Sequence, residues 1–88
     1  MNEKEARTIL EREGFKEIYI WTDKPEEHYF PHKHNSYSAH IIIKGSMTIK
    51  TEEILKILKP GDRFDIKQME THEVIIGKYG CTYAIANK

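Results

Sequence analysis

Five histidines stand out in this 88-residue sequence, and two of them form a His-x-His pair, His32 and His34. Within a strand both side chains point to the same face, about 6.6 Å apart. Two imidazoles so placed bind one ion together when a third ligand comes from a neighbouring strand. His40 and His72 are the candidates for that third position. The alternative is ordinary placement, with some histidines at the surface and others hydrogen-bonded in the interior. We expect His28, in an acidic and aromatic stretch, to lie at the surface.

The elements that position these histidines begin with a short amphipathic helix. Ala6, Ile9 and Leu10 recur at helical spacing among charged residues. Asn2 and Glu5 have capping-box spacing, and Gly14 is a natural stop. We therefore predict a helix over residues 1–14 that packs on the rest of the chain.

From Phe15 onward the sequence is typical of short strands separated by turns. The apolar period changes to two, and turn residues at Pro25, Pro31, Gly45, Pro60-Gly61 and 77–80 divide the chain. Seven or eight strands at this spacing predict an all-β fold, a small antiparallel β-sandwich or closed barrel over residues 15–88. We expect one domain over residues 1–88.

Composition excludes several classes of function. The charge is balanced at 14 basic and 14 acidic side chains, with no basic tract, so we expect no nucleic-acid partner. The longest apolar run, 41–43, is far too short for a membrane span. Cys81 is the single cysteine and no apolar leader opens the chain, so we expect a cytoplasmic protein without disulfides.

Two motifs resemble those of the cupins. His32 and His34, followed after ten intervening residues by Gly45, resemble the first cupin motif, and Gly61 followed by His72 resembles the second. The resemblance covers about residues 21–88. It implies a small antiparallel barrel, or jelly-roll sandwich, with a metal site that includes His32, His34 and His72.

Several residues depart from the cupin pattern. Ser38 stands where the family has its metal-binding Glu, and His40, two residues further along the same strand, is a candidate to replace that ligand. Glu26 and Met69 stand where the family has Gly. Lys67 replaces the family's Pro, and Ile76 replaces its Asn. These last four changes mainly affect the shape of loops.

A site of neutral imidazoles favours Zn²⁺, Ni²⁺, Fe²⁺ or Cu²⁺ over Mg²⁺, Ca²⁺ or Mn²⁺. Without a carboxylate ligand the charge of the ion stays uncompensated, which favours an anion or hydroxide at an open position. Tyr37, Ser38, Phe64 and Tyr83 are candidate pocket residues, although the aromatic ones also suit the core. Loss of metal binding altogether is the alternative for a cupin without the Glu.

Three functions remain open. The first is a module that binds a metal or a small molecule. The second is a metal-dependent enzyme of dioxygenase or isomerase type that acts on a small molecule. The third is a metal-free dimeric binding or structural unit. Ile41, Ile42 and Ile43 place apolar side chains on both faces of one strand, so both faces should be covered, one of them by a second copy or by the helix. We predict a homodimer.

Overall fold

A computed structural model describes all 88 residues. The chain forms one helix and six strands, which are α1 (Glu3–Arg12), β1 (Glu17–Asp23), β2 (His28–His32), β3 (Ser38–Lys50), β4 (Leu55–Leu58), β5 (Arg63–Ile66) and β6 (His72–Asn87). All strand pairs are antiparallel. The predicted all-β fold with a short N-terminal helix is confirmed.

The capping box predicted for the helix is present. The Asn2 side chain accepts a hydrogen bond from the Glu5 backbone N–H at 2.8 Å, and the Glu5 carboxylate accepts one from the Asn2 N–H at 3.3 Å. Gly14 follows the helix with a φ of +92°, which favours glycine. Local sequence alone therefore sets both ends of this helix.

The two long strands, β3 and β6, pair with each other along most of their length and are shared by two sheets. In one sheet their outer neighbours are β1 and β5, in the order β1-β6-β3-β5. In the other sheet their neighbours are β2 and β4, in the order β2-β6-β3-β4. This arrangement is a sandwich in which β3 and β6 pass from one layer to the other.

Glycines mark the place where β3 and β6 change layers. The register between them shifts near Gly45, where Ser46 of β3 lies opposite four residues of β6, 77–80. Gly45 and Gly80 both have positive φ, and the two backbones approach too closely for a side chain at Gly45. The predicted turns at Gly45 and at 77–80 are therefore bends within continuous strands, and the prediction of seven or eight strands was too high.

Apolar side chains form two clusters, one on each side of the first sheet. The cluster between the two sheets contains Ile42, Met47 and Ile66. The other lies under α1, where Leu10 packs with Ile41 and the alanines of β3 and β6. The prediction that both faces around Ile41–Ile43 are covered is confirmed, and the helix covers the outer face.

The sheet is not closed into a barrel. No pairing joins β1 to β4, and β2 and β5 each pair with a single strand. Of the two predicted forms, the sandwich is therefore confirmed and the closed barrel is not formed. The inner side of β1 lies at this open edge of the sandwich. The one helix is too short and too polar to cross a membrane.

Candidate metal centre

A bulge in β2 brings His32 to the inner side of the sandwich. The pairing of β2 with β6 matches Tyr29 with Val74 and His32 with His72, so β2 contains an extra residue between these pairs. Pro31 lies in this irregular segment, and an edge strand such as β2 tolerates proline because no ladder hydrogen bond is lost. The bulge places both Tyr29 and His32 on the cavity side.

Three imidazoles converge at the end of β2. The candidate ligand atoms of His32, His34 and His72 all lie within 4.8 Å of one another. His32 and His72 are partners on adjacent strands with ring centroids 4.3 Å apart, and His34 lies just beyond the end of β2. His72 is buried, His32 is half-buried and His34 is exposed. The cluster is therefore reached from solvent on the side of His34.

Backbone carbonyls orient two of these rings. His32 Nδ1 lies 2.6 Å from the carbonyl oxygen of Phe30, and His72 Nδ1 lies 3.1 Å from that of Glu70. A carbonyl only accepts, so in the neutral rings Nδ1 carries the proton and donates it. Nε2 of each ring then keeps its lone pair, which is the arrangement found in metal-binding histidines.

The turn before β6 connects the two halves of the cluster. The Met69 N–H donates to the His34 carbonyl oxygen at 2.7 Å, which ties the segment after β2 to this turn. The turn closes by a hydrogen bond from the Glu70 N–H to the Lys67 carbonyl at 3.1 Å, and the Glu70 carboxylate accepts from the Lys67 N–H. The positions of His34 and His72 are thus set by a single local structure.

His40 lines the same cavity but lies outside the group of three converging rings. Its Nδ1 lies 3.3 Å from the carbonyl oxygen of Phe64, so this ring is oriented in the same manner as His32 and His72. Burial, followed by the charges of His72 and His34 when protonated, lowers the pKa of His40 to about 4. At neutral pH the imidazole of His40 therefore carries no charge.

Burial also lowers the pKa of His72, and the neighbouring His32 and His34 act in the same direction. A neutral imidazole is the form that binds metal. No carboxylate belongs to the cluster. The residues fit a transition-metal ion, because three imidazole nitrogen donors converge, two of them oriented for binding through Nε2. Ligand nitrogens on one tetrahedral Zn²⁺ lie about 3.4 Å apart, so small side-chain rotations complete the contact.

A cavity of about 870 Å³ extends from the imidazoles along the inside of the sandwich to β1 and, beyond that strand, to Glu3 and Arg7 of α1. Its walls are mostly apolar. Of the predicted pocket residues, Tyr83 lines this cavity, whereas Tyr37, Ser38 and Phe64 do not. Tyr37 instead stacks on Phe15 at 6.4 Å, beside the cluster under α1. Ser38 is buried within β3, and Phe64 packs against the core between the sheets.

The sequence analysis missed a buried carboxylate near this cavity. Asp23 Oδ1 accepts hydrogen bonds from the Tyr29 hydroxyl at 2.5 Å and from Trp21 Nε1 at 3.0 Å. Its Oδ2 accepts one from the Tyr83 hydroxyl at 2.8 Å. Burial and the bond to Asp23 raise the pKa of Tyr29 to about 12 and also raise that of Tyr83. Asp23 precedes a Lys-Pro turn, where an aspartate is ordinary, so the sequence does not single it out.

His28 lies on the outer face, as predicted from the sequence. It is exposed, its Nε2 lies 2.5 Å from the Glu73 carboxylate, and its ring stacks on Phe30 with centroids 4.1 Å apart. The bulge after Tyr29 separates it from the two later histidines of the same segment. His28 therefore does not belong to the candidate site.

Comparison with known proteins identifies the fold. No protein-family model matches the chain, and no curated protein sequence matches it. Among solved structures, a protein of unknown function from Rhizobium leguminosarum has a TM-score of 0.75 at 16% identity, over 80% of this chain and 66% of that protein. A cupin-2 domain protein from Shewanella frigidimarina has a TM-score of 0.67 at 17% identity, over 78% and 66%.

A variant of oxalate decarboxylase from B. subtilis has a TM-score of 0.73 at 16% identity, over 81% of this chain and 20% of that enzyme. The chain thus has the cupin fold, as the two sequence motifs implied. It spans about two thirds of the length of the Rhizobium and Shewanella proteins.

Proposed function

We propose that this chain is a small metal-binding protein of the cupin fold, which holds a divalent transition ion through His32, His34 and His72. The convergence of three imidazoles within 4.8 Å, two of them oriented by backbone carbonyls, supports this proposal. Neutral nitrogen donors favour Zn²⁺, Ni²⁺, Fe²⁺ or Cu²⁺. Held by these three imidazoles, such an ion supplies a Lewis acid with an open position for an anion.

His40 is the proposed fourth ligand. It lines the same cavity, its Nδ1 is bonded to the Phe64 carbonyl, and its lowered pKa means that no proton has to leave before Nε2 binds metal. The ring would complete a set of four imidazoles where the family has a Glu at the position of Ser38, and an anion would then take a fifth position on the ion. Loss of a residue that only supports a ligand weakens metal affinity by about 10- to 100-fold, and loss of a true ligand weakens it further.

Metal analysis of the untagged protein tests the site. We expect near-stoichiometric transition metal in the wild type and in His28→Ala, the matched control on the outer face. We expect its loss from His32→Ala and His72→Ala. His40→Ala should weaken Zn²⁺ affinity by more than about 100-fold. Metal retained in both triad variants would exclude the site, and a smaller effect at His40 would reduce the ligands to three.

The cavity next to the imidazoles favours a function in small-molecule binding, and its size accommodates a compact organic molecule. Binding without turnover is the first form of this function. A metal-dependent enzyme is the second, and it would act on the bound molecule through the metal. Turnover measurements on metal-loaded protein distinguish them, since oxygen uptake or product formation that His72→Ala abolishes would establish the enzyme.

We also propose a homodimer, formed through the outer face of the second sheet. Ile57 of β4 and Ile75 of β6 flank Thr48 on this face, and both isoleucines are substantially exposed, as are Phe30 and Leu55. Such an apolar face is stabilised by burial against a second copy. Sedimentation at micromolar concentration should give a dimer in the wild type and a monomer in Ile57→Lys. A monomeric wild type would exclude this proposal.

A further inference from the structure

Two aromatic side chains on the cavity side of β1 are only partly covered by the rest of the chain. Tyr19 is 52% exposed and Trp21 is 55% exposed, although both lie opposite covered residues of β6, namely Ile85 and Tyr83. Both line the cavity that also contains the imidazoles. Large aromatic surface left open in a cavity is available to a bound molecule.

The indole of Trp21 is held in a fixed orientation. Its Nε1–H donates to the same Asp23 oxygen that accepts from Tyr29, and the other oxygen accepts from Tyr83. The Tyr29 ring lies 6.5 Å from the His32 ring, and the Tyr83 ring lies 5.9 Å from the His40 ring. The exposed indole is therefore connected to the proposed metal site through Asp23 and the rings of Tyr29 and Tyr83. An aromatic surface held in place in this way loses little entropy when a molecule binds.

The charges at the imidazole end of the cavity define the charge that a bound molecule must carry at that end. The cluster contains imidazoles and no carboxylate, so no ligand carries negative charge and the two positive charges of a bound ion are not compensated. The Asp23 carboxylate is occupied by its three donors. An anionic oxygen on the bound molecule supplies the missing charge. Between the two ends the walls are apolar, with Ile49, Leu58 and Val74 among them.

We propose that the cavity binds a small aromatic carboxylate, whose carboxylate lies at the imidazole end and whose ring lies on Trp21 and Tyr19. The inference rests on the proposed metal site, because the ion provides the charge that the carboxylate meets. It adds the class of the bound molecule and assigns a recognition role to Trp21 and Tyr19.

Calorimetry on Zn²⁺-loaded full-length protein tests the proposal with three matched probes. Benzoate has both the ring and the charge, benzyl alcohol has the ring alone and acetate has the charge alone. We expect benzoate to bind at least about tenfold more tightly than either of the others, since an aromatic contact adds to the area buried. Trp21 is the only tryptophan, so its fluorescence reports whether the ring reaches it.

Variants separate the two ends of the cavity. Trp21→Leu and Tyr19→Leu each leave an apolar side chain at the position. We expect both variants to bind benzoate with an affinity within about threefold of that for acetate, while the metal content stays at the wild-type level. Tyr79→Leu is the control, since Tyr79 is 85% exposed and lies outside the cavity. We expect metal removal to abolish the preference for benzoate over benzyl alcohol.

The outcomes distinguish this inference from the proposed function. A protein without metal would overturn both. A metal-loaded protein that binds benzoate no better than acetate would overturn only the inference. Benzoate binding that survives metal removal would place the carboxylate elsewhere, such as at Arg7 on the cavity rim, and would also overturn it. A shift of Trp21 fluorescence on dimerisation without added ligand would also overturn the inference, because a second copy would then cover Trp21 and Tyr19.

Discussion

Gly45 and Gly80 meet where β3 and β6 pass from one sheet to the other. A Cβ added at Gly45 would lie 2.1 Å from the carbonyl oxygen of Gly80 and 3.0 Å from the Cα of Cys81. Both obstacles are backbone, which cannot rotate away as a side chain does. The φ of +79° at Gly45 adds strain for any residue with a side chain.

Substitution of Gly45 tests this close approach. We expect Gly45→Ala to lower the free energy of unfolding by at least about 3 kcal/mol, because steric overlap adds to backbone strain. Gly61→Ala is the control, since Gly61 has a φ of +93° but nothing within 4 Å of an added Cβ. It should lose only about 1 kcal/mol in urea unfolding. Equal losses at the two positions would contradict the close approach.

The two non-glycine residues with positive φ occupy positions where the cupin motifs have glycine. Glu26 and Met69 both have a φ of +62°. Replacement by glycine relieves about 1 to 2 kcal/mol of backbone strain in the folded state, which stabilises the protein. It also increases the conformational entropy of the unfolded chain, which destabilises the protein by about 0.5 to 1 kcal/mol. We therefore expect Glu26→Gly and Met69→Gly each to raise the free energy of unfolding by up to about 1 kcal/mol.

The control for these substitutions lies in the same turn as Met69. Lys67 is exposed and is not among the residues with positive φ, so Lys67→Gly should lower the free energy of unfolding by about 0.5 to 1 kcal/mol. Urea unfolding of the three variants and the wild type makes the comparison. If all three variants lose stability, the left-handed conformation at positions 26 and 69 carries no strain.

The hydrogen bonds around Asp23 predict a linked change in stability and in tyrosine ionisation. Asp23→Asn keeps the shape of the side chain but removes the negative charge, and its amide N–H groups face donors. We expect a loss of about 2 to 3 kcal/mol, since hydrogen bonds to charged groups are the stronger ones. The pKa of Tyr29, about 12 mainly through burial and then through Asp23, should fall toward 10.

Near-ultraviolet titration of tyrosinate, run alongside urea unfolding, measures both effects of Asp23→Asn. Burial of Tyr29 persists in the variant, so its pKa should decrease only in part. Tyr29→Phe identifies the titration step that belongs to this residue. An unchanged tyrosinate titration in Asp23→Asn would show that the carboxylate does not hold the phenols.

The histidine triad could be predicted from the sequence because two of its members form a His-x-His pair and the third stands at the position of the second cupin motif, although that third residue comes from a distant strand. His32 and His34 flank one residue, and Gly61 and His72 match the second cupin motif. The helix could also be predicted, from Asn2 and Glu5 at its start. Residues close in sequence determine the geometry of the helix start and of the His-x-His pair, whereas the pairing of β2 with β6 adds His72.

Features that depend on contacts between distant strands were not predictable in this way. The bulge near Pro31 moves His28 to the outer face, and alternation alone would place it with His32 and His34. The bends at Gly45 and Gly80 look like strand ends in the sequence, because glycine marks both. Asp23 becomes significant only once Tyr29 and Tyr83 reach it from other strands.

The stability of the metal-free protein should depend on pH through His40. In the unfolded chain this imidazole takes up a proton near pH 6.5, whereas in the folded protein burial lowers its pKa to about 4. Between these pH values the unfolded state binds more protons, so the free energy of unfolding falls as the pH decreases from 6.5 toward 4. Above pH 6.5 both states are neutral, and this contribution to stability is fully present.

Replacement of His40 removes this dependence. A depressed pKa of this size corresponds to about 3 kcal/mol over the whole interval. We therefore compare the free energy of unfolding in urea at pH 7 and at about pH 4.5, with a chelator present. On acidification the wild type should lose about 2 to 3 kcal/mol more of this free energy than His40→Gln. His72→Gln should flatten the profile in the same direction, since the pKa of His72 is also lowered. Parallel pH profiles for wild type and His40→Gln would mean that His40 is protonated in the folded state as easily as in the unfolded chain, and that the cavity does not keep it neutral for a metal.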